Sequence, residues 1–308
     1  MKDDETILPI ELSHLINIHY TNLSIVMRRT AIIFLAIALV SMTSSVVQTQ
    51  STTTLAQESE DLCGTEVSGD LELSSDLVCD GDGLHVTAND LTIFLNGHTI
   101  RGPGTDSNTT GIHVDGVREV RIRGPGLVTG FGTGVAYTDS SGGAIRDTYL
   151  LRNDIGVLLD ATTDTHVKQD HISESRIGVL NRASDNTEVE IAILTGNKEG
   201  IRLENSQSVD VDFNIIMDGG TGVYMDEDSI DNELFYMIMF RNQGPDAVFA
   251  NPGEGGLKNT FGNNECIQSV PAEICTAGIE STSQNQTQPE AGNSASSGPD
   301  DEAEATDG

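Results

Sequence analysis

A glycine followed by an apolar residue returns seven times through the middle of this 308-residue chain. The pairs are Gly83-Leu84, Gly111-Ile112, Gly134-Val135, Gly156-Val157, Gly178-Val179, Gly200-Ile201 and Gly222-Val223, and Ala247-Val248 continues the series. Successive separations are 28, 23, 22, 22, 22, 22 and 25 residues. A fixed period of this length marks a unit that cannot bury its apolar face alone and must stack on copies of itself. Eleven residues after the glycine stand Ile122, Ile145, Val167, Val189 and Val211; sixteen after it stand Leu127, Leu150, Ile172, Leu194 and Ile216. Each coil therefore supplies several columns of inward apolar residues.

Within a coil the alternation has period two, as in Val209-Asp210-Val211-Asp212-Phe213 and Glu188-Val189-Glu190-Ile191, which is strand and not helix. Asn, Asp, Gly and Ser separate these runs and tolerate turns; Asn153, Ser175, Asn197 and Gly219 share one turn position. A leucine-rich repeat would need helical backs, and a propeller blade about 40 residues. Coils of this length fit three short strands and three turns. The expected fold is all-β, a single-stranded right-handed parallel β-helix of about eight coils over residues 63–275.

The stretch Gly81-Asp82-Gly83-Leu84, then Leu95-Asn96-Gly97-His98-Thr99-Ile100-Arg101-Gly102-Pro103-Gly104, Gly111-Ile112 and Gly124-Pro125-Gly126 resembles the opening coils of secreted right-handed β-helix proteins of the pectin-lyase-like superfamily. The resemblance implies the fold. It does not choose an activity, because the superfamily holds lyases, hydrolases, epimerases, a periplasmic copper-site accessory protein and members without known role.

The ends differ in kind from the coils. Met27-Arg28-Arg29-Thr30 precedes ten apolar residues, Ala31 to Val40, in the layout of a secretory signal. The Ser/Thr/Gln-rich continuation is too polar for a membrane span, which needs about 20 apolar residues. The expected organisation is an upstream extension over 1–26 with Met27 as the initiator, a signal over 27–50, a polar linker over 51–62, the β-helix, and a disordered acidic Ser/Gln-rich tail over 276–308. Export permits disulfides. The four cysteines form two local pairs at the two ends of the array, where a stacked rod needs capping, so Cys63–Cys79 and Cys266–Cys275 are predicted.

The net charge is −32, and residues 63–275 hold 34 acidic against 13 basic residues, −21. Nucleic acid is excluded as a partner, since phosphate binding demands basic surface. The charge is unevenly laid out. Flanking the Ile/Val column are Arg121, Ala144, His166, Glu188 and Asp210 on one side and Arg123, Arg146, Lys168, Glu190 and Asp212 on the other. On a strand both sets point outward, so one sheet face runs from basic to acidic along the rod. Stacking Arg123, Arg146 and Lys168 on neighbouring strands costs stability, which marks the face as a site for an anionic ligand. The expected ligand is an extracellular, uronate-containing polysaccharide, held by Arg121, Arg123 and Arg146. If there is catalysis, Lys168 acts as base with His166 or His171 assisting, in a lyase or C5-epimerase reaction. The alternatives are that Asp115, Glu119 and Asp147 neutralise the stack, and that the protein is a non-catalytic adhesive or structural rod.

Asp170-His171 faintly resembles the Asp-His pairs of β-helix epimerases, but Asp170 aligns with Asn214 at a turn, and a turn role is expected. His85 and His113 fall on successive coils as two stacked imidazoles, short of the three or four ligands of a closed metal site, so no metal site is assigned. Asp226-Glu227-Asp228 with Asp231 and Glu233 has the carboxylates calcium takes but lacks a calcium-loop motif, and a solvated turn is expected. No cofactor is required.

Overall fold

The computed structural model describes residues 62–250 and 259–275. Among these the chain runs through short strands and a single 3-10 turn at Ala272–Ile274. Every strand pair is parallel, and the strands form three sheets of ten, nine and eight members. One coil feeds all three: Ile155–Asp160 lies in sheet 1, His166–Lys168 in sheet 2 and His171–Ser173 in sheet 3. The β-helix read from the repeat is thus the fold, with nine rungs in sheet 2 where about eight coils were expected. The additional rung opens at Thr65–Val67, before the first glycine pair.

Register follows the 22-residue period. Val135, Val157, Val179, Ile201 and Val223 pair in succession across sheet 1 and are buried. Ile122, Ile145, Val167, Val189 and Val211 do the same in sheet 2. One inward column needs a correction. Leu127 pairs with Tyr149 on the outer face, and Val128 takes the inward place beside Leu150. Its coil has 23 residues, and the extra one sits in the Gly124-Pro125-Gly126 turn, so fixed counting from the glycine falls one short there.

The repeated glycine marks where neighbouring rungs approach too closely for a side chain. A Cβ on Gly156 would stand 2.6 Å from the Gly178 carbonyl oxygen and 2.6 Å from Ile172 Cγ2, and Gly178 and Gly200 are as tightly placed.

Polar ladders hold the turns. Asn153 Oδ1 accepts from Phe131 N–H while its Nδ2 donates to the Val128 carbonyl. Asn197 repeats this with Ser175 N–H and the Ile172 carbonyl. Buried backbone groups that no sheet bond reaches are thereby satisfied by amides that bridge coils. A second file is built of hydroxyls, with Thr162 N–H donating to Ser184 Oγ and Ser206 N–H to Ser229 Oγ.

Both predicted disulfides are present, Cys63–Cys79 at one end and Cys266–Cys275 at the other, and no described cysteine is free. No helix among the described residues is long and apolar enough to cross a membrane. The expected upstream extension, signal, most of the linker and the acidic tail lie outside the described residues.

Candidate functional site

Sheet 2 presents the charged face. Its strands Arg121–Arg123, Ala144–Arg146, His166–Lys168, Glu188–Glu190, Asp210–Asp212 and Glu233–Phe235 each bury the middle residue and turn the flanking two outward. Register aligns Arg123, Arg146, Lys168, Glu190, Asp212 and Phe235 in one outward file. Arg121, Ala144, His166, Glu188, Asp210 and Glu233 make the other.

The three parts of this face behave differently. Arg121 Nη2 donates to Glu119 Oε2 at 2.8 Å, so that loop carboxylate does neutralise one arginine. Arg123 and Arg146 have no ion-pair partner among the described residues. They sit on adjacent strands, about 5 Å apart along the rod.

At the middle, Lys168 Nζ is clamped between Glu188 and Glu190, the latter at 3.1 Å, and His166 Nδ1 meets Glu188 Oε2 at 2.8 Å. Burial opposes the Lys168 charge, but the two carboxylates outweigh it and hold its pKa above the ordinary lysine value. Burial likewise works against Glu188, yet Lys168 and His166 keep it below the usual carboxylate range. Lys168 is an ammonium locked in a salt bridge, the opposite of a poised proton acceptor.

At the far end, Asp210, Asp212 and Glu233 form no ion pair among the described residues. Burial, with Asp210, Glu190 and Glu233 adding repulsion, pushes Asp212 up to about 6. Asp210 is raised for the same reasons, burial first and then its acidic neighbours.

His171 is not brought to this face. It lies in sheet 3, beyond the Asp170 turn, where its ring stacks on Tyr149 at 5.8 Å. Leu127, Tyr149, Leu151, His171 and Ser173 line a shallow hollow there of about 280 Å³. The expected trio of Lys168, His166 and His171 is therefore divided between two sheets. Asp170 is the turn residue foreseen, but a buried one: its Oδ1 accepts from both the N–H and the hydroxyl of Thr148, each at 2.8 Å.

A model of a known protein family, described as periplasmic copper-binding protein (NosD), matches residues 63–246. That span is more than half of the chain and covers the whole charged face. The chain belongs to the NosD family. No curated protein sequence matches it significantly. Among solved structures it is similar to the enzymatically active domain of tailspike protein 2 of bacteriophage CBA120, at 14% identity and a TM-score of 0.42 over 66% of this chain and 38% of that one. It is also similar to a tailspike of E. coli bacteriophage HK620 in complex with a pentasaccharide, at 10% identity and a TM-score of 0.44 over 66% and 45%. A third is the A-module of the Azotobacter vinelandii mannuronan C-5 epimerase AlgE6, at 16% identity and a TM-score of 0.44 over 66% and 69%. The chain spans less than half the length of the two tailspikes. The NosD description is periplasmic, and the two disulfides suit an oxidising compartment outside the cytoplasm.

The family description also names copper, so the side chains must be tested against it. Copper takes imidazole, thiolate or thioether ligands that converge on one point. Among the described residues no three His, Cys, Asp or Glu side chains are grouped to hold a metal ion. His85 and His113 are neighbours, but their rings stack at 5.3 Å with 17° between planes, so their lone pairs run side by side and do not converge. His113 Nε2 is further engaged by Thr138 Oγ1 at 2.8 Å. All described cysteines are in disulfides, and Met225, Met237 and Met239 are buried in the core. These residues do not fit a copper centre in this NosD-family chain. The acidic turn spoken of for calcium is similarly engaged: Asp226 accepts from Asn205 N–H, Asp228 N–H and Ser229 Oγ–H.

Proposed function

We propose that this NosD-family protein is an exported β-helix that binds an acidic, uronate-containing polysaccharide across the early coils of sheet 2. Arg123 and Arg146 hold its carboxylates, and Arg121 borders the site beside Glu119. The observation that carries this reading is the pair of unpartnered guanidiniums on adjacent strands, in a chain of net charge −32 that has acids to spare. Arginine receives a carboxylate through two parallel N–H donors, and successive rungs offer successive binding points to an extended chain.

Binding is favoured over lyase or epimerase action. Lys168 is held protonated by Glu188 and Glu190, and His171 faces away on sheet 3. Coils of nearly constant length also bring few long insertions to wall the face, and an unwalled face positions a reacting sugar poorly.

Retention of the protein on alginate and pectate gels at low salt, against dextran as the neutral control, tests this. The Arg123→Gln/Arg146→Gln variant is expected to lose about thirtyfold in affinity, each charge-assisted contact contributing roughly 1 kcal/mol. Unchanged retention of that variant, or equal retention on dextran, overturns the reading.

A further inference from the structure

Sheet 2 carries a symmetry of charge that glycan binding does not use. The midpoint of its six charged strands, Arg121–Arg123 to Glu233–Phe235, falls between His166–Lys168 and Glu188–Glu190. Of the six pairs of positions equally far from that midpoint, four set a basic residue against an acidic one, while Arg123 with Phe235 and Ala144 with Asp210 do not. In one file these are Lys168 and Glu190, then Arg146 and Asp212. In the other they are His166 and Glu188, then, two rungs further out, Arg121 and Glu233. At the centre the charges already satisfy one another within the chain. In the arms they do not: Arg123 and Arg146 on one side, and Asp210, Asp212 and Glu233 on the other, lack ion-pair partners among the described residues. Like charges are stacked within each arm, which is unfavourable in the isolated chain.

We propose that a second copy of this chain docks on sheet 2, face to face and antiparallel, about a two-fold axis lying along the strand direction at that midpoint. Such an axis reverses the rod but keeps each position across the strand. Every outward file therefore meets its own counterpart in reverse order. Arg146 then faces the second copy's Asp212, Lys168 its Glu190, His166 its Glu188 and Arg121 its Glu233. Arg123 comes over the ring of its Phe235, a contact favourable to a guanidinium. The other two-fold arrangement, with rods parallel, would cross the two files and set Arg123 on Arg121, Glu190 on Glu188 and Asp212 on Asp210, and is disfavoured by the same charges. The face spans six strands, about 25 Å along the rod, and is small for a permanent interface. The dimer is thus a weak one, governed by charge and sensitive to salt. It goes beyond the glycan reading and does not depend on it. Where both operate, a polyanion and the acidic arm of the second copy compete for Arg123 and Arg146, so polysaccharide drives the dimer apart.

Sedimentation velocity on the full chain tests this. Self-association is expected at low salt, weakening by about tenfold or more as ionic strength rises toward 0.5 M. Arg146→Glu and Asp212→Arg are each expected to sediment as monomers while remaining folded, with cooperative thermal unfolding. Mixed in equal amounts they should associate again, because each then meets its complement; the double variant Arg146→Glu/Asp212→Arg should recover association within one species. A wild-type chain that stays monomeric at low salt up to about 1 mM overturns the proposal. So does association that neither single exchange weakens, or folded single variants that fail to associate when mixed. Asp212→Arg leaves the arginine arm intact, so its retention on alginate reports on the glycan reading separately from the dimer.

Discussion

Asp170 accepts the Thr148 N–H and hydroxyl through one carboxylate oxygen, while its other oxygen is buried without a partner. Two coils later in the same file, Asn214 accepts from Ala192 N–H with its oxygen and donates its amide to the Val189 carbonyl. By register the orphan oxygen of Asp170 takes the place of that amide, and Ile145, 25 residues before Asp170 as Val189 is before Asn214, offers the corresponding carbonyl. Only a protonated carboxyl can donate there. Burial, reinforced by the nearby Asp147 charge and opposed by the Thr148 bonds, pushes Asp170 up to about 7.

Because the folded pKa lies above the unfolded one, the contribution of this rung is complete below about pH 4 and is lost as pH rises through about 7. Asp170→Asn should supply the missing donor permanently. We expect it to match the wild type near pH 4 and to exceed it by roughly 2–4 kcal/mol near pH 9, measured by urea unfolding. An equal difference at both ends of that range would remove the protonated rung from the account.

The amide ladder predicts losses elsewhere. Asn197→Ala strands the Ser175 N–H and the Ile172 carbonyl, both buried. Its cost should be roughly 2–4 kcal/mol in urea unfolding, against less than about 1 kcal/mol for an exposed asparagine such as Asn108.

The glycine column makes a sharper case. Gly156→Ala places a Cβ against the Gly178 carbonyl and Ile172, neither of which can swing away without parting two rungs. We expect at least about 2 kcal/mol of destabilisation. Gly81→Ala, where a Cβ meets nothing within 4 Å, should be close to neutral. Comparable thermal shifts for the two would mean that rung spacing is not what requires glycine.

Reduction of the caps should also be measurable. Cys63–Cys79 closes a loop with a separation of 16 residues, and its removal as Cys63→Ser/Cys79→Ser should cost about 3 kcal/mol by loop entropy. Hydrogen exchange should then rise first in the opening strands Thr65–Val67 and Leu84–Val86, leaving the central rungs protected.

What the sequence made legible was the periodic part. Gly156, Gly178 and Gly200 announced the rung, and Asn153, Ser175 and Asn197 announced the ladder, because a repeated environment demands a repeated residue. Properties set between coils were harder to see. The Lys168 clamp needs Glu188 and Glu190 at a distance of one coil, so the face looked like a bare basic stack until the register was applied. The burial of Asp170 was masked by its turn position, since only the register shows that Thr148, Asp170, Ala192 and Asn214 form one buried file. His171 was grouped with Lys168 because only Gln169 and Asp170 separate them in the chain, yet a tight turn sends them to different sheets. Nor did periodicity reveal that Ile191, Phe213 and Tyr236 lie exposed at left-handed turn positions, where large side chains are unusual.

The constant register of the rungs has a consequence for how such a chain can change length. Excising residues 156–177 would bring Gly178 onto Gly134 with every ladder rejoined, whereas excising half as many would leave inward and outward residues exchanged. Shortening or growth can therefore proceed only by complete turns. Each turn gained or lost on one side of Lys168 and Glu190 also moves the centre of charge, so the number of turns and the pairing of two molecules are tied together.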